Sequence, residues 1–102
     1  MQFIYILQLE PKFTKQENWT DDTNRIFGEH FNYLKNLFEK GVVKFVGKTE
    51  YDMDHPDNQG ISIFEAENEA EANKIMQNDP CVINGVMTAV MHPFKIVFNS
   101  GN

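Results

Sequence analysis

The 102-residue chain is poor in the features that name a function class outright. It has one cysteine, Cys81, which excludes an internal disulfide framework and a cysteine-rich zinc site. It has a single arginine, Arg25, and scattered lysines in a chain of formal charge −6. A nucleic-acid surface needs clustered cations, so nucleic acid is not an expected partner. No apolar run reaches the roughly 18–20 residues a membrane span requires, so a membrane is not expected either. A Gly-rich phosphate loop and a G-x-S-x-G elbow are both missing. His30, His55 and His92 lie far apart with no H-x-x-x-H spacing. The loop around His55 (DMDHPDN) has aspartates but lacks the Gly and Glu of a calcium loop, so it reads as a solvated turn, and no metal is expected.

Hydrophobic residues make up 41% of the chain and charged residues 24%, a globular mixture and not a disordered one. The length fits one domain, residues 1–102, large enough to bury a core without staples. Nine Phe, three Tyr and one Trp must mostly lie inside. With one thiol, and opening residues (MQFIYIL) that read as a strand and not as a basic leader, the reducing cytoplasm is the default location.

Residues 2–9 (QFIYILQL) have strand composition and stop at Pro11. Residues 10–22 read as a polar loop that packs down through Phe13 and Trp19. Thr20 to Thr23 supply N-cap chemistry for a helix to about Lys40, with Gly41 as its stop. Ile26, Phe27, Phe31, Leu34, Leu37 and Phe38 form its apolar stripe. Residues 42–51 read as a second strand, and the turn-rich segment 52–59 leads into a third, GISIFEA. A second helix begins at Asn68, which has capping-box spacing to Glu71, and carries Ala72, Ile75 and Met76 inward. Asp79-Pro80 breaks it, and a short turn through Gly85 opens a last strand over 86–98, with Pro93 marking a bend, bulge or edge. The order β-α-β-β-α-β is the ferredoxin-like arrangement, an α+β fold with two helices on one face of a four-stranded antiparallel sheet.

The second face of that sheet should be polar if it met water. It is not. Phe3, Tyr5, Leu7 and Leu9 line one side of the first strand, and Ile4 and Ile6 the other. The last strand has Val86, Val90, Phe94, Ile96 and Phe98 on one side and Met87, Ala89, Met91 and Val97 on the other. Two helices cover one face only, so the second needs another cover. A second copy across a two-fold axis is the simplest, and a homodimer is expected. Coverage by the 10–22 loop is the alternative.

His30 sits within the helix stripe and is aimed at the sheet. A buried imidazole needs partners, and Asp79, at the end of the second helix on the same face, is the candidate. A carboxylate on one ring nitrogen fixes the tautomer and leaves the other for a ligand, which is general acid/base equipment. The plainer readings are a core histidine bonded to a carbonyl, and Asp79-Pro80 as a helix terminator. Cys81 reads as a small buried thiol, Tyr5, Tyr33 and Tyr51 as packing residues, His92 as structural, and Ser62 as lacking a base.

The segment from His30 through spaced leucines to Gly41 resembles the first helix of the YCII-related family. Asp79-Pro80-Cys81-Val82-Ile83-Asn84-Gly85-Val86 and Pro93-Phe94 resemble that family's DP-x-x-x-x-G-V and P-F motifs, so the resemblance spans nearly the whole chain. It implies a ferredoxin-like fold dimerising as an α+β barrel, a His–Asp site at His30 and Asp79, and a similarity to muconolactone-type isomerases and a chloromuconolactone dehalogenase, which need no metal or organic cofactor. The chain departs from the pattern at Gly47-Lys48, where many members have Gly-Pro, and at Phe27, where many have Arg. Arg25 lies near Phe27 in sequence but points elsewhere on a helix. The resemblance implies a small cofactor-independent enzyme, isomerase, lyase or dehalogenase in type, whose His30 moves a proton on a small organic acid or lactone with Asp79 orienting it. The alternative is a non-catalytic dimeric small-molecule-binding or accessory protein in which the pair is an anchor or a structural lock.

Overall fold

The computed structural model describes residues 1–100. Strand β1 (Gln2–Leu9) leads through two short 3-10 turns to helix α1 (Asp21–Glu39). Strands β2 (Val43–Lys48) and β3 (Gly60–Glu65) follow, then helix α2 (Glu69–Gln77), a four-residue helix α3 (Pro80–Ile83) and strand β4 (Met87–Pro93). The sheet is antiparallel in the order β2-β3-β1-β4. This is the ferredoxin-like topology, with β1 and β3 inside and β2 and β4 at the edges.

Caps fix the ends of α1. Thr20 and Thr23 exchange side-chain and backbone hydrogen bonds in a capping box. At the other end Gly41 takes φ +79, its N–H bonds Phe38, and the Val42 N–H bonds Leu37, a Schellman closure. The same closure recurs after α3, where Gly85 has φ +69 and the N–H groups of Gly85 and Val86 bond Val82 and Cys81. Each glycine occupies the left-handed region that a side chain resists. The Asn68 side chain accepts from the Glu71 N–H and starts α2.

Phe3, Tyr5, Leu7, Val43 and Phe64 from the sheet meet Leu34 of α1 and Ala72 and Met76 of α2 in one core. Ile26, Cys81 and Val86 form a second, smaller cluster. The stripe read for α1 is partly corrected: Ile26 and Leu34 are buried, but Phe31 and Phe38 are 66% and 55% exposed. The inward line runs instead through Thr23, Ile26, His30, Tyr33, Leu34 and Leu37, and Phe31 stands one residue past His30 on the flank.

Strand β4 ends at Pro93 and does not continue to 98. Beyond it the backbone N–H of Phe94 bonds the Gln2 carbonyl, and that of Ile96 bonds the Gln2 side chain. Pro93 sits on an edge strand, where a missing N–H does least harm. Met87, Ala89 and Met91 pack toward the helices and Val90 lies on the opposite face. Val86 does not share that face; it is buried against Ile26 and Cys81.

The face away from the helices is apolar at its centre. Ile4 and Ile6 stand beside Ile63 and Ile61 of β3, with Val90 opposite Ile6 and Phe45 opposite Ile63. A register shift between Val43 and Phe45 swings Phe45 onto this face. Phe45 and Val90 are 52% and 55% exposed. Gln2, Gln8, Thr88, His92 and Glu65 ring the patch by the same register. The 10–22 loop does not cover it. Phe13 packs against the Ile26–Cys81–Val86 cluster and Trp19 stacks on Phe27, both on the helix side. Among the described residues, no helix is long and apolar enough to cross a membrane.

Candidate active site

Asp79 lies at a junction of three elements. It is the N-cap of α3, and Pro80 occupies the first helical position, where a missing N–H costs nothing. The first free helix donor is therefore the Cys81 N–H, which bonds Asp79 Oδ1 at 2.9 Å. His30 Nδ1 of α1 meets the same oxygen at 2.6 Å. The Tyr5 hydroxyl, rising from β1, donates to Oδ2 at 2.9 Å. Asp79 is fully buried, and all three contacts use it as an acceptor. With Asp79 as a carboxylate acceptor, a neutral His30 ring carries its proton on Nδ1 and keeps the Nε2 lone pair.

His30 and Asp79 thus come together as the sequence anticipates. Tyr5 was read as a packing residue; it is the third member of the cluster. A buried phenol needs an acceptor, and Asp79 is the buried carboxylate on that face. Burial and the adjacent Asp79 charge push the Tyr5 phenol far above its ordinary range. Tyr33 ties α1 to α2 by donating to the Ile75 carbonyl at 2.7 Å. Arg25 is occupied on the surface by Asp22 and Glu29. His55 accepts the Asp57 N–H and stacks on Tyr51, which makes it a turn residue. His92 is exposed on the far face of the sheet, beside Ile4.

His30 also lines a cavity of about 800 Å³ between α1, the sheet and the 51–60 segment. That volume suits a small organic ligand. Its walls are aromatic: Phe27 stacks on Trp19 at 4.5 Å and meets His30 edge-on, while Phe31 and Tyr51 stand nearby. Trp19 is itself held by donation from its indole N–H to the Phe13 carbonyl, so the 10–22 loop shapes one wall. Phe27 makes that wall apolar. Lys48, paired with no carboxylate among the described residues, and Asp52 also line the cavity.

The donor atoms of His30, Asp79 and Cys81 lie within 4.8 Å of one another. Two of these atoms are already engaged with each other, His30 Nδ1 with Asp79 Oδ1 at 2.6 Å, and the same oxygen accepts the Cys81 N–H. The set is a hydrogen-bonded cluster centred on Asp79.

The raised acids make alkaline stability testable. Cys81 rises from an ordinary 9.0 to about 12, and burial likewise takes Tyr33 from 10.0 to about 12. A folded-state value above the unfolded one gives stability that is complete below the unfolded value and lost as pH climbs through the folded one. Urea unfolding should therefore show constant stability up to about pH 9, then a fall toward pH 12. Flat stability over that window would contradict the burial of these groups.

The model of the YCII-related domain matches residues 1–92 of the chain. No match was found among curated proteins. Among solved structures the chain is similar to the 5-chloro-2-hydroxyhydroquinone dehydrochlorinase TftG from Burkholderia phenoliruptrix, determined in complex with 2,5-dihydroxybenzoquinone. The two are 22% identical, the match covers 93% of this chain and 94% of that one, and the TM-score is 0.68. At that identity the likeness is one of fold.

Proposed function

The chain belongs to the YCII-related domain family, and from that premise we propose that it is a small cofactor-independent enzyme that uses His30 and Asp79 for acid/base chemistry. One observation carries the reading: Asp79 holds His30 Nδ1 at 2.6 Å while His30 also lines an aromatic-walled cavity. Nε2 of His30 takes a proton from a ring-bearing organic acid, lactone or hydroxylated ring. The electron pair left behind forms a double bond. In isomerisation an adjoining C=C gives up its π pair as the new double bond forms, and its far carbon takes the proton back from His30; in elimination the carbon–halogen bond breaks and halide leaves with that bond's electron pair. Asp79 stabilises the imidazolium formed midway. The name of the TftG enzyme describes an elimination of the second kind, and its ligand is a hydroxylated ring. The test is a turnover screen of lactones, small ring acids and halogenated hydroxylated rings with wild type, His30→Gln and His30→Ala.

A second reading follows from the same carboxylate. Asp79 joins β1, α1 and α3, so the pair also fits a structural lock in a non-catalytic binding protein. Heavy destabilisation of His30→Gln without ligand, with no turnover by wild type across the screen, is the outcome that favours it.

The reading includes a homodimer formed through the Ile4–Ile6–Ile61–Ile63 face. The patch has an apolar centre and a polar rim, the anatomy of a protein interface. Light scattering at micromolar concentration should give a dimer for wild type. A Phe45→Glu/Val90→Glu variant should give a folded monomer, because both positions are already half exposed. A monomeric wild type would remove this part of the proposal.

A further inference from the structure

Tyr5 reaches the site from behind and has no part in the acid/base reading. Its hydroxyl donates to Asp79 Oδ2 at 2.9 Å, and among the described residues no other donor bonds that oxygen. Oδ1 carries the other two bonds, from His30 Nδ1 at 2.6 Å and from the Cys81 N–H at 2.9 Å. The two oxygens thus face different partners, one the imidazole and the other the phenol. Tyr5 and Asp79 are both fully buried, so neither touches an occupant of the cavity.

Packing does not ask for this hydroxyl. The Tyr5 ring meets Phe64 edge-on, with 5.5 Å between centroids, and a phenylalanine would keep that contact. What it would lack is the donor on Oδ2. The phenol is also a donor that stays a donor. Burial and the adjacent Asp79 charge hold its acidity far above the ordinary range, so Tyr5 neither becomes a phenolate nor competes for the site's proton. A fixed neutral donor on one carboxylate oxygen draws negative charge toward itself and leaves less on the other. Here the other oxygen is the one that holds the His30 ring.

We infer that Tyr5 is a positioning residue that sets how strongly Asp79 pulls on the His30 ring proton. The hydroxyl fixes the plane of the carboxylate, so that Oδ1 meets Nδ1, and it tempers the carboxylate charge, so that the proton stays on the ring. The other titratable groups around His30 leave this control to Tyr5. The Cys81 thiol and the Tyr33 phenol are neutral, each pushed up to about 12, chiefly by burial. Glu29, on the same helix, is bonded to Arg25. Lys48 and Asp52 lie on the cavity wall formed by β2 and the 51–60 segment. In turnover the setting is a compromise. A stronger pull makes Nε2 a better base, but it holds back the proton that isomerisation must return. That consequence rests on the acid/base reading; the hold of Tyr5 on the pair does not.

The Nδ1 proton of His30 reports the pull in ¹H NMR at low temperature, because its signal moves downfield as its hydrogen bond strengthens. Tyr5→Phe removes only the donor to Oδ2, so the signal should move downfield from its wild-type position. A ring-fluorinated tyrosine installed at position 5 is a stronger donor of nearly the same shape, and it should move the signal upfield. Opposite displacements are the expected result. No displacement in either protein, displacement in one direction in both, or loss of the signal in Tyr5→Phe beside an unmoved signal in the fluorinated protein would each overturn the assignment. A hydroxyl that only braces the core has no graded effect on the ring. On a substrate found in the turnover screen, the acid limb of the pH–rate profile should move up by about one pH unit in Tyr5→Phe, an about tenfold change in proton affinity. An unmoved limb would also overturn the assignment. Opposite displacements with no turnover by wild type would uphold Tyr5 and remove the acid/base reading alone.

Discussion

Asp79→Ala is expected to melt about 15–25 °C below wild type, the larger of the two stability effects anticipated here. The side chain is fully buried and accepts from Tyr5, His30 and the Cys81 N–H. Alanine leaves the Tyr5 hydroxyl orphaned in the core, removes the cap of α3 and frees His30. Breaking a buried, hydrogen-bonded charged cluster by deleting one partner costs roughly 3–5 kcal/mol. Asp79→Asn separates structure from chemistry. Its oxygen still caps Cys81 and its amide still reaches Tyr5, so it should lose under about 2 kcal/mol. It has no charge to stabilise an imidazolium, so turnover on any substrate found should fall by about 10²–10⁴. Equal melting of Asp79→Ala and wild type in differential scanning calorimetry would show that the cluster carries no structural role.

His30→Gln should lower turnover by a similar factor, about 10²–10⁴, with little change in stability. The glutamine amide can still reach Asp79, and His30 borders the cavity and not the central core. What is lost is the Nε2 lone pair. His30→Ala should lose the same activity and melt lower as well, since it also withdraws a donor from Asp79 and opens a gap beside Phe27. Activity in both variants equal to wild type would remove His30 from the reaction.

The two key positions lie 49 residues apart, and the sequence still pairs them. Helix spacing aims His30 at the sheet, and a terminating Asp-Pro on a second helix places a carboxylate on the same side. Tyr5 was harder to see. Within a run of Phe, Ile and Leu a phenol looks like one more apolar body, and its hydroxyl acquires meaning only once Asp79 is known to be buried above it. The usable signal was the strand alternation, which puts Tyr5 inward where a phenol must find an acceptor. Helix α3 escaped because four residues cannot show a period, although Asp followed by Pro is an N-cap and first-turn pair. The end of β4 was overread because apolar residues continue past Pro93, while the backbone beyond it turns to bond Gln2.

The orientation of the His30 ring proton bears most directly on the site. A ¹⁵N NMR spectrum of the histidine ring nitrogens at pH 8 should show Nδ1 protonated and bonded to Asp79, with Nε2 bare and shifting when a ring ligand enters the cavity. A spectrum in which Nε2 carries the proton and Nδ1 is bare would mean that Asp79 does not present a base to the cavity through His30, and the account would fail.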